Sequence, residues 1–345
     1  NLVIHPLVEA VAAGNCCILK PSDMTPAVAK VTKKVIQEVF DEREVAVFDG
    51  DLDVVNALLE LPFNHIFFTG STRVGKVVMS AAAKHLASVT LELGGKSPVI
   101  VDVNVDLERV VSRIGWAKAN NGGQTCIAPD YVFIHVSQKD DFVRKMKEYF
   151  QRAFFDENGK FNEMDLAQIV NDKNFDRVKR LYDDAIEKGA NVEYGGIFDR
   201  EKLIISPTIL TGITHDMLIM EEEIFAPILP VLTYDRLEEI TDYLKNKDKP
   251  LALYMFSNNE KNIQYILDNT SSGGVCVNDV MMHNAEHNLP FGGVNASGIG
   301  NYHGIAGFKT FSHERAVLFN VPSDQERFMN PPYKGKLEMV LNNLK

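Results

Sequence analysis

One stretch of the 345-residue chain concentrates side chains able to do covalent chemistry: Asn120-Asn121-Gly122-Gly123-Gln124-Thr125-Cys126-Ile127-Ala128-Pro129-Asp130-Tyr131. A thiol attacks well only as the thiolate, and a free cysteine ionises near pH ~8.5. Glycines just before the sulfur allow close backbone approach, and their N–H groups can supply part of the field a thiolate needs. Cys126 is therefore a candidate nucleophile, with a buried structural thiol as the ordinary alternative. Cys16, Cys17 and Cys276 sit in apolar, strand-like runs and are expected to be structural. Four scattered cysteines, with no CxxC pair and no zinc spacing, are too sparse for a disulfide scaffold. They favour a reducing, cytoplasmic setting.

Three further motifs invite a chemical reading. Gly70-Ser71-Thr72-Arg73-Val74-Gly75-Lys76-Val77 nearly matches the phosphate loop G-x-x-x-x-G-K-[ST], but Val77 has no hydroxyl to hold magnesium. What survives is an anion site at a helix start, or an ordinary Ser/Thr cap on a tight turn. His283-Asn284-Ala285-Glu286-His287 spells H-x-x-E-H, yet Pro290 and Gly292 follow too soon for the helix that would aim both imidazoles. No third ligand suggests itself, so chance explains the motif and no metal is expected. Glu221-Glu222-Glu223 reads as a solvated face, except that Ile224-Phe225-Ala226-Pro227 sets at least one carboxylate beside an apolar turn.

These residues need elements to carry them. Cys16 to Leu19 reads as a buried strand, Ala27 to Phe40 as a helix, Val45 to Phe48 as a strand and Asp53 to Leu61 as a helix. His65 to Phe68 is a third strand and Arg73 to Leu86 a third helix. This alternation predicts parallel βαβ units in a doubly wound sheet. After a Gly-rich joint at 91–98 the alternation resumes: Val99 to Val101, Tyr131 to Val136, Asp140 to Phe150, Leu229 to Thr233, Leu237 to Leu244, Leu251 to Phe256 and Ile263 to Leu267. The fold class is thus α/β, a doubly wound parallel-sheet domain followed by a second α/β domain. Hydrophobic residues are 45% and charged residues 24%, as in globular chains. With 36 basic and 47 acidic residues the net charge is −11, and no basic cluster suits a nucleic-acid backbone. No apolar run is long enough to span a bilayer.

Taken together, the motifs resemble those of the aldehyde dehydrogenase superfamily. GQTCIAPDY looks like the nucleophile signature and LELGGKSP at 91–98 like the general-base motif, with Glu92 and Cys126 34 positions apart. AAGNCCILKPSD at 12–23 is similar to the adenosine-binding segment, and FTGSTRVGK at 68–76 to the nicotinamide-nucleotide turn. EEEIFAPI at 221–228 and LPFGGVNASGIG at 289–300 resemble two later motifs. APDY after the cysteine and RFMNPPYKGKL near the end point to the class 3 branch of fatty and aromatic aldehyde enzymes.

The resemblance implies NAD(P)-dependent oxidation of an aldehyde to an acid, through a thiohemiacetal and a thioester on Cys126, with Glu92 as general base. It assigns Lys20 and Asp23 to the adenosine side, Gly70, Ser71, Thr72, Arg73, Val74 and Gly75 to the pyrophosphate turn, and Glu223 and Phe225 to the nicotinamide ribose. Leu93 and Gly94 would line the nicotinamide pocket by their backbone. Asp23 stands where most members have Glu, which leaves NAD against NADP open, and Ala226 stands where Gly is usual, a departure that bears on the placement of Phe225. It divides the chain into a partial dinucleotide-binding domain at 1–92, a catalytic domain at 93–313, an oligomerisation strand at 314–322 around Val317-Leu318-Phe319, and a tail at 323–345. That strand implies a homodimer.

Two other readings stand beside this one. An acylating relative would pass the thioester to coenzyme A, but those branches typically lack the Glu that stands here at 92. A non-catalytic homologue kept for binding or structure is the second. It draws support from the chain's start: the family's oxyanion Asn lies just upstream of where Asn1 falls, along with more than a hundred further residues. A longer enzyme, of which this chain alone is poorly active, is the expectation. In the tail, Leu337, Val340, Leu341 and Leu344 form one helical stripe. It is expected to dock on the protein body, with a substrate lid or a weak membrane contact as alternatives.

Overall fold

The computed structural model describes residues 2–320 and 330–343. Two units divide the chain, Asn1–Ser312 and His313–Lys345. The first unit opens with α1 (Ile4–Ala12), β1 (Cys17–Leu19), α2 (Pro26–Val39), β2 (Val45–Val47), α3 (Leu52–Leu59), β3 (His65–Thr69), α4 (Thr72–Ala83) and β4 (Ser88–Glu92). β1 pairs in parallel with β2, and β3 with β4. Helix starts follow local chemistry. Asp51 caps α3 by accepting from the Asp53 N–H, and Ser71 caps α4 by accepting from that of Val74. α4 ends at Ala83 rather than Leu86, whose φ of 53° leaves the helical region.

The second half builds the main sheet. Its elements are β5 (Pro98–Val101), α5 (Leu107–Ala119), β6 (Tyr131–His135), α6 (Lys139–Phe154), α7 (Asp172–Glu187), β7 (Asn191–Tyr194), β8 (Phe198–Asp199), β9 (Ile204–Ile205) and β10 (Thr208–Thr211). Then come α8 (Leu218–Glu221), β11 (Ile228–Tyr234), α9 (Leu237–Lys245), β12 (Ala252–Phe256), α10 (Glu260–Asn269), β13 (Gly274–Val277), β14 (Gly298–Ile299) and α11 (Gly304–Thr310). Seven strands line up in the order β13-β12-β5-β6-β11-β10-β7, every pairing parallel except β10 with β7. Successive side chains alternate between faces. Val99, Val101, Val132 and Ile134 meet α5 and α6 through Ile114, Phe142, Met146 and Phe150. Ile100, Tyr131 and Phe133 belong to the opposite core, with Phe175, Val178, Leu181, Ile240 and Ile266. Both faces are covered, which is why these strands read as unbroken apolar runs. Each such side chain, fully buried, contributes about 1.5–3 kcal/mol.

Several expectations need correction. Cys16 lies outside β1 and is exposed, and Ile18 is 39% exposed, so this strand is not a buried one. β2 is its sole strand partner among the described residues. The sequence patterns do not anticipate helices α1, α5, α7, α8 and α11 or strands β4, β7 to β10 and β14. In α5 the apolar stripe Val111, Ile114 continues onto Lys118, a charged residue where an apolar one is expected. The short strands lack enough residues to show a period.

In the second unit, residues 314–320 form no strand, and Val317, Leu318 and Phe319 are exposed. The remaining positions of the expected oligomerisation strand, 321 and 322, lie outside the described residues. A helix, α12 (Leu337–Asn343), carries Leu337, Val340 and Leu341, all exposed, while Leu344 lies outside the described residues. Among the described residues no helix is long and apolar enough to cross a membrane.

Candidate active site

Glu92 is the last residue of β4, paired with Thr69 of β3 on one side and Gly298 of β14 on the other. It therefore sits at the carboxyl end of a parallel pair, where open α/β sheets present their ligand crevices. The side chain is 4% exposed and neither carboxylate oxygen has a hydrogen-bond partner. Burial alone raises its pKa from the ordinary carboxylate range to about 9.

The thiol loop is held from several sides. Asn121, Gly122 and Gly123 take three consecutive left-handed conformations, with φ of 52°, 63° and 74°. The glycines are needed for space as well as for φ. A Cβ on Gly123 would stand 2.4 Å from the Ala226 carbonyl carbon. Asn121 Nδ2 donates to the Gln124 carbonyl at 2.9 Å, and Gln124 Nε2 donates to the carbonyls of Asn121 and Gln168 at 2.9 Å. Gln124 Oε1 accepts from the Val170 N–H at 2.9 Å, and Tyr254 OH donates to the Ile127 carbonyl. Cys126 is thus fixed in a half-buried position. Its pKa is pushed up to about 12, first by burial and then by the charges of Glu223 and Glu92. The N–H groups of Cys126 and Ile127 act in the opposite sense. At rest the sulfur keeps its proton.

Glu223 comes from the turn after α8. Its carboxylate lies against Gly94, where a Cβ would come within 2.1 Å of an oxygen. Burial first, then the neighbouring Asp130, raises its pKa to about 7, against the pull of the Gly95 N–H, Lys96 and Arg177. The turn itself is lashed down. Lys96 Nζ donates to Asp130 Oδ2 at 2.5 Å and to the carbonyls of Ile219 at 2.6 Å and Glu222 at 2.9 Å. Asp130 Oδ1 accepts from the Ile224 N–H at 3.0 Å, and Arg177 donates to the carbonyls of Glu223 and Ile224 at 2.8 Å. Phe225 takes a φ of 52° there. Lys118, buried eight residues before the cysteine, donates to the Asp130 carbonyl at 3.4 Å. Burial lowers its pKa to about 8.

The other expected positions lie at strand ends. Gly70 and Ser71 form the exposed β3–α4 turn, and Thr72 Oγ1 donates to the Ala296 carbonyl at 2.8 Å. Arg73 is exposed, Val74 half-buried, and Gly75 packs on the buried Leu93. Lys20 and Asp23 follow β1, with 3.9 Å between Nζ and Oδ1. Glu92 and Glu223 both act electrostatically on Cys126, Glu223 lies against Gly94, and Leu93 and Gly94 follow Glu92 in the chain. Lys20 and Asp23 stand on the separate β1–β2 pair.

Lys96, Asp130, Lys118 and Arg177 were not singled out in the sequence. A usable signal existed for one of them, because Lys118 falls on the buried stripe of α5. The H-x-x-E-H residues do not lie on one helix face. His283 is set against Tyr254 and Phe291 with both ring nitrogens unpartnered, while His287 lies beside His5 and His303.

Residues 1–317 match the model of the aldehyde dehydrogenase family. The chain belongs to that family. It is 44% identical over 340 residues to 4,4'-diaponeurosporen-aldehyde dehydrogenase of Staphylococcus aureus, covering 99% of this chain and 73% of that one. It is 44% identical over 339 residues to the dimeric NADP-preferring aldehyde dehydrogenase of Rattus norvegicus, covering 98% and 73%. Among solved structures it is similar to the substrate-bound state of Staphylococcus aureus AldH, with a TM-score of 0.89 and 42% identity over 99% of this chain and 74% of that one. The chain thus spans about three quarters of the length of these relatives. Aldehyde dehydrogenases oxidise aldehydes with NAD or NADP, and that is the reaction of this chain. A non-catalytic or poorly active homologue is not favoured. The residues present fit a dinucleotide. The first-turn N–H groups of α4 suit a pyrophosphate, and Lys20 with Asp23 offers donors and acceptors for phosphate and ribose.

Proposed function

We propose that this aldehyde dehydrogenase acts on apolar aldehydes, fatty or aromatic, with Cys126 as nucleophile and Glu92 as general base. One observation carries the reading: a half-buried thiol lies within electrostatic reach of a buried carboxyl that has no hydrogen-bond partner. A carboxyl kept for structure would be satisfied by donors. This one is free to meet a water molecule.

In the first step the Cys126 sulfur bonds to the aldehyde carbon and the carbonyl oxygen becomes an alkoxide. The N–H groups of Cys126 and Ile127 favour negative charge on the sulfur as its proton passes to solvent water. The carbonyl then re-forms as a hydride departs, leaving a thioester; NAD or NADP, when bound, supplies the hydride acceptor. Glu92 takes a proton from water, the resulting hydroxide adds to the thioester carbon, the C–S bond breaks, and the proton held by Glu92 passes to the departing thiolate. The carboxylic acid is released and the thiol is restored. Splitting one hard step into two easier ones is what a soft nucleophile offers, and a carboxyl of raised pKa is a competent base above neutrality.

Lys20 and Asp23 would hold the adenosine side and Gly70 to Gly75 the pyrophosphate. Glu223 and Phe225 would hold the nicotinamide ribose, and the backbone of Leu93 and Gly94 would line the ring's pocket. The glycine at 94, under the Glu223 carboxylate, supports that assignment. A homodimer formed through 314–322 is in keeping with a relative described as dimeric and with the exposure of Leu318 and Phe319. A cytoplasmic setting agrees with four free cysteines. The apolar face of α12 is the segment that would touch a membrane surface.

A steady-state assay of the purified chain with NAD and NADP, against short, long and aromatic aldehydes, tests the reading. A kcat/KM that rises with aldehyde chain length or aromaticity is expected. Equal or better turnover of acetaldehyde would refute the substrate class.

A further inference from the structure

Away from the thiol and its carboxylates, three imidazoles converge. His5 stands in the first turn of α1, His287 in the loop that follows the aromatic His283, and His303 just before α11 at a φ of 80°. Their rings are mutual neighbours: His5 stacks on His303 at 4.4 Å between centroids, His287 meets His5 edge-on at 5.0 Å, and His287 lies 5.5 Å from His303. One ring nitrogen from each falls within 4.8 Å of the other two. The residues come from three separate segments, so neither helical periodicity nor a single turn explains the convergence.

Two buried groups at the same place lack partners. His303 is 3% exposed and its Nδ1 makes no hydrogen bond. Glu9, one helical turn after His5, is 6% exposed, and neither carboxylate oxygen makes one. Its ion-pair partner is His5 Nε2, 3.4 Å from Oε1, and the backbone N–H groups of His303 and Gly304 favour its charged form against burial. Gly307 lies so close that a Cβ there would stand 2.0 Å from a Glu9 oxygen. Purely aromatic packing would account for the stacked rings. It leaves unexplained an acid buried beside an imidazole with neither oxygen in a well-formed hydrogen bond, because a poorly satisfied buried carboxyl costs stability.

We propose that His5, His287 and His303, with the Glu9 carboxylate beside them, form a zinc site. Three imidazole nitrogens and one carboxylate oxygen are the donors zinc takes in tetrahedral sites, at about 2.0–2.2 Å from the metal. Such ligands stand about 3.3 Å apart, so the nitrogens must close in by about 1.5 Å or less. His287 is exposed and can turn to do so. The metal would join α1 to α11 and to the 283–293 loop. Tyr302, edge-on to His303, lies within reach of the charges of Glu92 and Cys126.

The test is a zinc titration of the metal-stripped chain against a chromophoric chelator, in a Cys126→Ser background that removes the competing thiolate. Cobalt absorption serves as the report on coordination. One equivalent of zinc and a four-coordinate cobalt spectrum without thiolate charge-transfer bands are expected. His287→Ala, at an exposed position, should weaken binding by more than about 100-fold with little change in metal-free melting, and Glu9→Gln by about 10–100-fold. The proposal is overturned by the absence of stoichiometric binding, or by binding that His287→Ala leaves unaltered.

Discussion

Two carboxylates face the same sulfur, and the regions that hold them are built in opposite ways. The Glu223 turn is tied by Lys96, Asp130 and Arg177 through five backbone groups of Ile219, Glu222, Glu223 and Ile224. Glu92, at the end of β4, has backbone pairing on both sides and nothing on its carboxyl. Their pKa values diverge accordingly, to about 7 and about 9. The lesson is that hydrogen bonds are concentrated where a loop must be positioned and withheld where a proton must move. A rigid frame around an unsatisfied group keeps that group reactive.

The sharpest way to break this contrast is to silence the unsatisfied member. Glu92→Gln should retain thioester formation and lose its hydrolysis, giving an NADH burst of about one equivalent per site followed by negligible turnover, whereas Cys126→Ala should give no burst at all. Stopped-flow absorbance separates the two. Normal turnover by Glu92→Gln would end the general-base assignment.

Next in size is damage to the satisfied region. Asp130→Ala leaves the Lys96 ammonium buried without its acid and the Ile224 N–H without an acceptor, and should cost about 3–5 kcal/mol in a denaturant melt. The loss should exceed that from Glu92→Gln, which removes no hydrogen bond.

A smaller effect follows from the raised Glu92 pKa. Folding holds this proton more tightly than the unfolded chain does, so ionisation opposes folding. The resulting loss of stability grows as pH rises from the ordinary carboxylate pKa toward about 9. Glu92→Gln should therefore gain on the parent across that window. Urea melts between about pH 5 and pH 9 measure it, and parallel curves would contradict the assigned shift.

The smallest expected change is kinetic. Glu223 has the larger effect of the two charges that raise the Cys126 pKa, so Glu223→Gln should speed alkylation of that thiol by iodoacetamide. Mass mapping is needed because Cys16 is exposed and will compete for the reagent. An unchanged Cys126 rate would show that burial alone sets its pKa.

Strand-forming runs in the main sheet were legible because both faces are buried, and the motifs around Cys126 and Glu92 because special backbone needs leave glycines behind. Much of the frame was not. Lys96 and Asp130 are ordinary charged residues until the fold sets them 2.5 Å apart, and no local pattern encodes a contact between loops. The exposure of Cys16 was misread because an apolar run does not say whether its second face is covered. His5 and His303 carried no motif, and their convergence with His287 exists only in three dimensions.

The antiparallel pairing of Gly298 with Glu92 joins positions roughly two hundred residues apart. During synthesis, β4 emerges long before β14, and Thr72 before the Ala296 carbonyl it will hold. A growing chain that already contains both the thiol and the acid still lacks the strand that encloses the acid. Competence to turn over substrate is therefore a late event in biogenesis, and products of premature termination before residue 298 should carry the nucleophile without its finished setting.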